Sequence, residues 1–354
     1  MDNDSKKIIN SGDYILFDAK KDAPVGLGLI SGGLDSLIAC LVLKLQNIEV
    51  VGLNFKSPFC ICDKAYKNAE CGLNLFYDKL GIKTHFLQKE DDYLEVIKDP
   101  KFGYGKNLNP CIDCRIYILK KANLFAKKIN ADFIFTGEVL DQRPKSQNLK
   151  ALRIIEEESD LKGKLLRPLS ALLLKPTLLE EKGLIDRSKL LGIKGRSRKK
   201  QLELARSHGL LNDYNACGGC LLTEKEFANR MRDYLIHSKN PTMDGVQLLK
   251  YGRHFRYNGY KIVIGRNEVE NNFLLSLKRP DEVVMEASNV KGPITLIQGK
   301  LGEDAINFAA SLTLRYSDAI NSRGKVLYGK NYNDLIEEIS VEKVSQEILN
   351  HYLL

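Results

Sequence analysis

No stretch of this 354-residue sequence reaches the roughly 20 consecutive apolar residues that a membrane-spanning helix needs. The first residues, "MDNDSKKIINSGDYILFDAKKDA", are charged throughout and lack the continuous apolar core of a secretory signal. Internal repeats and low-complexity segments are absent too, which excludes solenoids and arrays. These absences predict a cytoplasmic globular protein with no membrane partner. The length predicts more than one domain. Hydrophobic residues at 44% and charged residues at 28% are ordinary for such a protein.

The net charge of +9 is moderate, but its distribution is uneven. Residues 187–206, "RSKLLGIKGRSRKKQLELAR", hold eight Lys or Arg and one acid. Such a run is either an electrostatic footprint for a phosphate backbone or a solvated helix face. Arg196, Arg198, Lys199 and Lys200 are its densest part and are candidate RNA contacts.

From residue 23 the chain alternates between short apolar runs and helical periods. "VGLGLI", "EVVGLNF", "KTHFL" and "ADFIFTG" read as buried strands. "LDSLIACLVLKLQ", "KAYKNAECGLNLFYDKL" and "CIDCRIYILKKANLFAKKI" read as helices. This alternation predicts an α/β domain, a parallel sheet with helices on both faces, over residues 23–238 behind a tail at 1–22. "LLEEKGLIDRSKLLG" reads as a further helix, and "YNACGGCLLTEKEFANRMRDYL" as a loop entering another. The polar "HSKNPTMDG" places a boundary near residue 240. A smaller α+β domain over 242–354 follows, with "HFRYNGYKIVIGRN" as a hairpin turning at Asn258-Gly259. A helix, the strands "EVVMEA" and "PITLIQ" and another helix complete it.

"SGGLDS", residues 31–36, links the first strand to the first helix. Glycines let backbone approach a phosphate, the helix N-terminus offers N–H groups, and Ser31 and Ser36 add hydroxyls. The loop is built for an anion. It has neither the Walker spacing with its lysine nor a dinucleotide fingerprint.

The loop resembles the pyrophosphate loop of the N-type ATP pyrophosphatases, the PP-loop family. These enzymes cleave ATP to AMP and pyrophosphate through an adenylated intermediate. The resemblance implies ATP and Mg²⁺ as cofactors. It places the pyrophosphate end of ATP on Ser31, Gly32, Gly33, Asp35 and Ser36, with Asp35 also catalytic. Topology places the adenine near Leu53, Asn54 and Phe55. "TGEVLDQRPKSQ", residues 136–147, resembles the T-G-[DE]-x-x-x-Q-x-x-S-Q stretch of 4-thiouridine synthetases and brings Gly137 to the nucleotide. "LRPLSALLLKPT" resembles the R-P-L segment of those enzymes, with Lys175 matching their lysine. Neither a THUMP-type region nor a rhodanese domain is expected here, and "RPKSQ" adds a proline and a basic residue to the central motif.

Eight cysteines include two C-x₂-C pairs, Cys111/Cys114 and Cys217/Cys220. The residues alone leave four readings: buried thiols, structural zinc, a redox or persulfide pair, or an iron–sulfur cluster. Resemblance to tRNA thiolation enzymes implies a [4Fe-4S] cluster on Cys111, Cys114 and Cys220, catalytic because one iron stays open for sulfur. Cys217 as a fourth ligand would close the site. Cys60 and Cys62, in "SPFCIC", are either persulfide relays or plain loop cysteines.

"RHFRYNGYKIVIGRNEVENNFLLS" resembles the RNA-binding domain of NFACT-type proteins. That resemblance implies RNA contacts from Arg253, Arg256, Tyr257 and Arg266. Together the motifs predict a tRNA sulfurtransferase making 4-thiouridine, with 2-thiouridine next. Its partners would be tRNA and a sulfur donor, a cysteine desulfurase or sulfide. An adenylating enzyme acting on a small molecule and a non-catalytic RNA-binding protein are the competing classes. The sequence defines no oligomeric state.

Overall fold

A computed structural model describes residues 23–61, 79–211, 214, 219–299 and 302–354. The tail at 1–22, most of the helix read over 64–80, and Cys62, Cys71 and Cys217 lie outside the described residues. The chain divides into two compact units, Met1–Thr223 and Glu224–Leu354.

The first unit is built on five parallel strands: β1 (Val25–Leu29), β2 (Glu49–Lys56), β3 (Lys83–Gln88), β4 (Phe133–Thr136) and β5 (Leu165–Leu166). Their order is β3-β2-β1-β4-β5. Alternation along β1 sends Val25, Leu27 and Leu29 to the face covered by α3 (Cys111–Lys128). The opposite face lies under α1 (Leu34–Lys44), where Leu37, Ile38 and Leu41 pack with Phe133 and Phe135. Gly26 and Gly28 of β1 make room for those rings. A Cβ on Gly28 would sit 2.4 Å from the Phe135 ring. The glycines inside "VGLGL" therefore serve packing, and only those after the strand form the loop. Both faces of the sheet are covered, as the near-continuous apolar strands require.

Three elements differ from the sequence reading. The segment 178–192 is not one helix. It forms only α5 (Leu178–Glu181), started by a capping box of Thr177 and Glu180, and a 3-10 turn at Arg187–Lys189. Gly183, at φ +71°, breaks the helical path between them. Two helices not read from the sequence, α2 (Asp92–Lys98) and α4 (Leu149–Glu158), flank α3 on either side in sequence. The basic run contributes α6 (Lys199–Ser207).

The second unit begins with α7 (Lys225–His237), upstream of the boundary read at residue 240. Asp233 of α7 binds Arg256 and Lys261, which ties the helix to this unit. The sheet has six antiparallel strands in the order β11-β10-β8-β9-β7-β6. They are β6 (Arg253–Tyr257), β7 (Tyr260–Ile264), β8 (Val283–Ala287), β9 (Thr295–Gln298), β10 (Arg323–Gly329) and β11 (Glu337–Glu342). Asn258 and Gly259 both have positive φ, as a two-residue hairpin turn requires. Alternate residues pack on α10 (Glu303–Arg315) and α11 (Gln346–Tyr352) on one face. Leu248 of α8 (Met243–Leu248) and Leu274 of α9 (Glu268–Leu277) cover the other. Strands β10 and β11 and helix α11 were not read from the sequence; their exposed polar alternation is a weak signal.

Candidate functional site

The loop Ser31–Ser36 leaves the carboxyl end of β1, between β1 and β4. The strand order reverses there, because the chain first adds β2 and β3 on one side and later β4 and β5 on the other. Open α/β sheets bind ligands at this switch point. The Ser36 hydroxyl donates to the Gly33 carbonyl (2.8 Å) and accepts from the Ser31 N–H (3.3 Å), which curls the loop. Gly32, at φ +78°, permits the turn. Gly33 caps α1 without a side chain, so the first-turn N–H groups of the helix have no intrahelical acceptor. Such a helix end offers N–H groups suited to cradling an anion.

Gly137 closes the cradle from β4. A Cβ there would lie 2.6 Å from the Ser36 backbone nitrogen, so only glycine lets the two segments meet. Asp35 projects toward the basic run: Gln201 donates to its Oδ1 (3.1 Å), and Arg198 lies 3.7 Å from its Oδ2. Arg198, read as an RNA contact, is thus within reach of the nucleotide loop. Arg196, Lys199 and Lys200 are exposed. Asn54 is buried and donates to the Ile30 carbonyl (2.8 Å), holding the root of the loop. Phe55 packs on the α3 face of the sheet. Lys175 is exposed, with no hydrogen bond or ion pair among the described residues.

The two motif segments meet through a buried ion network. Glu138 of "TGE" is 2% exposed and Arg167 of "RPL" equally so. Arg167 Nε donates to Glu138 (3.1 Å), Arg115 of α3 approaches the other oxygen (3.1 Å), and Arg167 also binds Glu156 of α4. Burial alone would raise the Glu138 carboxyl. Arg115 and Arg167 outweigh it and hold the group below the usual carboxylate range. Ser170 accepts from the Leu140 N–H (2.9 Å) and donates to the Ile193 carbonyl (2.7 Å). These motif residues fix the loop after β4.

Cys111 opens α3, and Cys114 follows on its first turn. Cys220 reaches the same neighbourhood through an isolated antiparallel bridge to Cys60. The three thiols Cys111, Cys114 and Cys220 influence one another's ionisation. Cys114 differs from the other two. Burial pushes its thiol up, but Lys89 and a hydrogen bond from Tyr93 hold it below the usual value. Lys89 Nζ lies 3.1 Å from its sulfur. Burial, with Cys114 adding to it, raises Cys111, and burial pushes Cys220 up to about 11. Cys114 is therefore the most acidic thiol of the three. Sequence reading missed Lys89 and Tyr93, since nothing in "QKEDDY" marks them as facing a cysteine. Soft thiolates are the donors an iron–sulfur cluster takes. In their present positions, however, no three His, Cys, Asp or Glu side chains among the described residues form a group able to hold a metal. No step is derived through a cluster.

In the second unit the expected RNA contacts are largely engaged within the fold. Arg256 forks onto both oxygens of Asp233 (2.8 and 2.7 Å), and Lys261 and His237 share that carboxylate. These groups line a cavity of about 270 Å³. Arg266 pairs with Glu270. Tyr257 stacks on Phe308 and meets Tyr352 edge-on. Arg253 lies over the Tyr316 ring, 4.4 Å from its centroid.

The first unit is thus a parallel sheet with a glycine-containing strand-to-helix loop at its switch point, followed by a separate α+β unit. Residues 23–175 match the family model described as thiamine biosynthesis protein (ThiI), and residues 252–353 match the NFACT protein RNA-binding domain. The two matches cover successive parts of the chain. It is 32% identical to a probable tRNA sulfurtransferase of Methanocaldococcus jannaschii, over 47% of this chain and 44% of that protein. It is 30% identical to the tRNA-specific 2-thiouridylase MnmA of Mannheimia succiniciproducens, over 42% of this chain and 40% of the relative. The chain spans less than half the length of each. A solved 4-thiouridine synthetase–RNA complex with bound ATP is similar over 57% of this chain and 46% of that one, at 18% identity and a TM-score of 0.40. Among the described residues no helix is long and apolar enough to cross a membrane.

Proposed function

We propose that this protein thiolates a uridine of tRNA in an ATP- and Mg²⁺-dependent reaction, acting in the cytoplasm. The observation that carries the reading is the meeting of two sites in one unit. In the segment that follows β4, Gly137 presses on Asp35 of the loop, and Lys145 lies with Cys111 against Gly105, each 3.6 Å from where a Cβ there would sit. Carbonyl oxygen is a poor leaving group at neutral pH. Adenylation of the uracil oxygen, with pyrophosphate departing into the Ser31–Ser36 loop, converts it into one. Sulfur delivered at Cys111, Cys114 and Cys220 then replaces it, and AMP leaves. The ThiI-type match and the "TGEVLDQRPKSQ" segment favour 4-thiouridine, with 2-thiouridine as the neighbouring product. The NFACT-type unit and the exposed Arg196, Lys199 and Lys200 would supply the salt-sensitive hold on tRNA.

The soft donor set favours a second form of the sulfur site. Cys111, Cys114 and Cys220 would be the residues to hold a [4Fe-4S] cluster, which would supply a binding site for sulfur. Broad visible absorbance in anaerobically purified protein, lost in Cys114→Ala, supports that form. Colourless protein that takes up sulfur from a cysteine desulfurase as a persulfide supports the cluster-free one. The reading as a whole is tested by pyrophosphate release from ATP with purified protein, sulfide and tRNA. Release that requires tRNA supports it. Release indifferent to tRNA favours a small-molecule ligase, and none under any condition favours a non-catalytic RNA-binding protein.

A further inference from the structure

Cys60 follows β2, Cys220 precedes the turn Leu221–Thr223, and the two residues lie directly opposite each other in an antiparallel bridge. Leu221 N–H donates to the Phe59 carbonyl (2.8 Å), and Ile61 N–H donates to the Gly219 carbonyl (3.3 Å). These two bonds flank the cysteines, which therefore form the non-hydrogen-bonded kind of antiparallel pair. Such pairs bring their Cα atoms to about 4.5 Å and send both side chains to the same face. A disulfide joins cysteines whose Cα atoms are about 4.4–6.8 Å apart. The backbone thus presents two sulfurs on one side at a separation that a disulfide spans.

The frame around the pair is well held. Phe59 and Leu221, which alternate with the cysteines, are buried on the other face. Leu108 N–H donates to the Leu222 carbonyl (3.0 Å), and the Asn107 amide donates to the Thr223 carbonyl (2.7 Å). Gly219 lets the two segments close, because a Cβ there would collide with the Ile61 side chain. Phe59 packs on the Tyr93 ring at 5.9 Å between centroids, and Tyr93 bonds the Cys114 sulfur, so the pair adjoins the sulfur site. Cys60 and Cys220 are both half-buried thiols, which leaves them open to small solutes.

We propose that Cys60 and Cys220 form a reversible disulfide that switches the sulfur site off under oxidising conditions. This rests on the thiolation reading above, in which Cys220 belongs to the sulfur site. The oxidant is a small-molecule disulfide. One protein thiolate attacks it, forms a mixed disulfide and releases a small thiolate. The second protein thiolate attacks the protein-side sulfur, forms the Cys60–Cys220 bond and releases the other small thiolate. The two protein thiols give up two electrons and two protons, and the small disulfide leaves as two thiols. A dithiol reductant reverses both steps. Once bonded to Cys60, the Cys220 sulfur can neither carry a persulfide nor ligate a metal, so the bond blocks either form of the sulfur site. Accessible disulfides are the labile, regulatory kind, and a reducing compartment returns this pair to thiols.

The full chain is purified reduced, treated with oxidised glutathione, alkylated and mapped by peptide mass spectrometry. A Cys62→Ser/Cys217→Ser background leaves one cysteine in each peptide of interest. The expected product is a cross-linked pair of peptides holding Cys60 and Cys220, lighter by two hydrogen atoms. It should be absent in Cys60→Ser and lost on adding dithiothreitol. Oxidised wild type should lose most of its thiolation of tRNA and regain it with dithiothreitol. Reduced Cys60→Ser should thiolate at the wild-type rate and lose activity more slowly under oxidation. Cross-links that join Cys220 to Cys111 or Cys114 and omit Cys60 would overturn the proposal. Equal rates of oxidative inactivation in wild type and Cys60→Ser would overturn the switch. Loss of thiolation in reduced Cys60→Ser would also overturn it and make Cys60 part of sulfur transfer. A reduced wild-type chain that thiolates nothing would sink the thiolation reading instead, and the peptide map would still decide whether the bond forms.

Discussion

Each unit of this protein is organised around one buried carboxylate shared by several cations, and the two clusters differ in what they leave over. In the first unit Glu138 takes Arg115 and Arg167, which pins the segment after β4 to α3 and to the "RPL" stretch. Arg198 remains close to the loop after β1 without such a partner of its own, reaching Asp35 only at 3.7 Å. In the second unit Asp233 takes Arg256 and Lys261, with the His237 ring 3.3 Å away, and Glu270 takes Arg266. The first cluster builds a frame and leaves charge beside it for a ligand. The second absorbs most of the charge that its sequence advertises. An arginine in a motif is therefore a binding residue or a strut depending on which carboxylate the fold brings to it.

The largest expected effect falls on the first cluster. Glu138→Gln takes the buried carboxylate from Arg167 and Arg115 and leaves Arg167 only Glu156, so it should cost about 3 kcal/mol of stability. Urea denaturation would read this as a lower midpoint, and a midpoint unchanged from wild type would mean that the cluster does not hold the unit together. Next comes Asp35→Ala, which removes the acid at the anion loop and leaves the second unit intact. Thiolation should fall by roughly 100-fold or more while tRNA affinity stays near the wild-type value. Full activity in this variant would break the assignment of chemistry to the first unit.

The second cluster makes a pH prediction. Burial, opposed by Asp233 and reinforced by Arg256 and Arg230, lowers the Lys261 ammonium to about 8. The unfolded chain keeps that lysine near the ordinary value of about 10.4. Between these values the unfolded state binds the extra proton, so the Lys261 contribution makes stability rise with pH from about 8 to about 10. Below pH 8 both states are protonated, and the cost of the buried ammonium is full and constant. Melting of wild type and Lys261→Met at pH 7.5 and 9.5 reads the difference. Wild type should gain on the variant at the higher pH, by up to about 2 kcal/mol. A constant gap would show that Lys261 titrates as an exposed lysine.

The smallest effect concerns packing alone. Gly28→Ala pushes a Cβ into the Phe135 ring and should cost roughly 1–3 kcal/mol. Pairing it with Phe135→Leu should recover part of that loss. No recovery would mean that the strand glycine serves the loop and not the core.

The parallel sheet was legible because its strands are short apolar runs separated by helical periods. The anion loop was legible because "SGGLDS" sits between a strand and a helix. The hairpin at Asn258-Gly259 was legible because the turn needs two positive φ values. Long-range partnership was not legible. Nothing in the local sequence places Lys89 and Tyr93 against Cys114, Arg198 against Asp35, or Asp233 against Arg256, because each pair joins elements distant in the chain. The false helix over 178–192 has the same origin. Its apolar spacing suits a helix, but Gly183 turns the chain, and Arg187 donates to the Ala171 and Leu174 carbonyls while Leu191 N–H donates to Pro168, which holds the rest outside a helix.

The most direct test of the central claim is mass spectrometry of nucleosides from bulk tRNA, comparing cells with and without this gene. The account predicts selective loss of one thiolated uridine, restored by the wild-type gene and not by Asp35→Ala. An unchanged nucleoside profile, with no second enzyme making the same nucleoside, would contradict it and point to a small-molecule substrate.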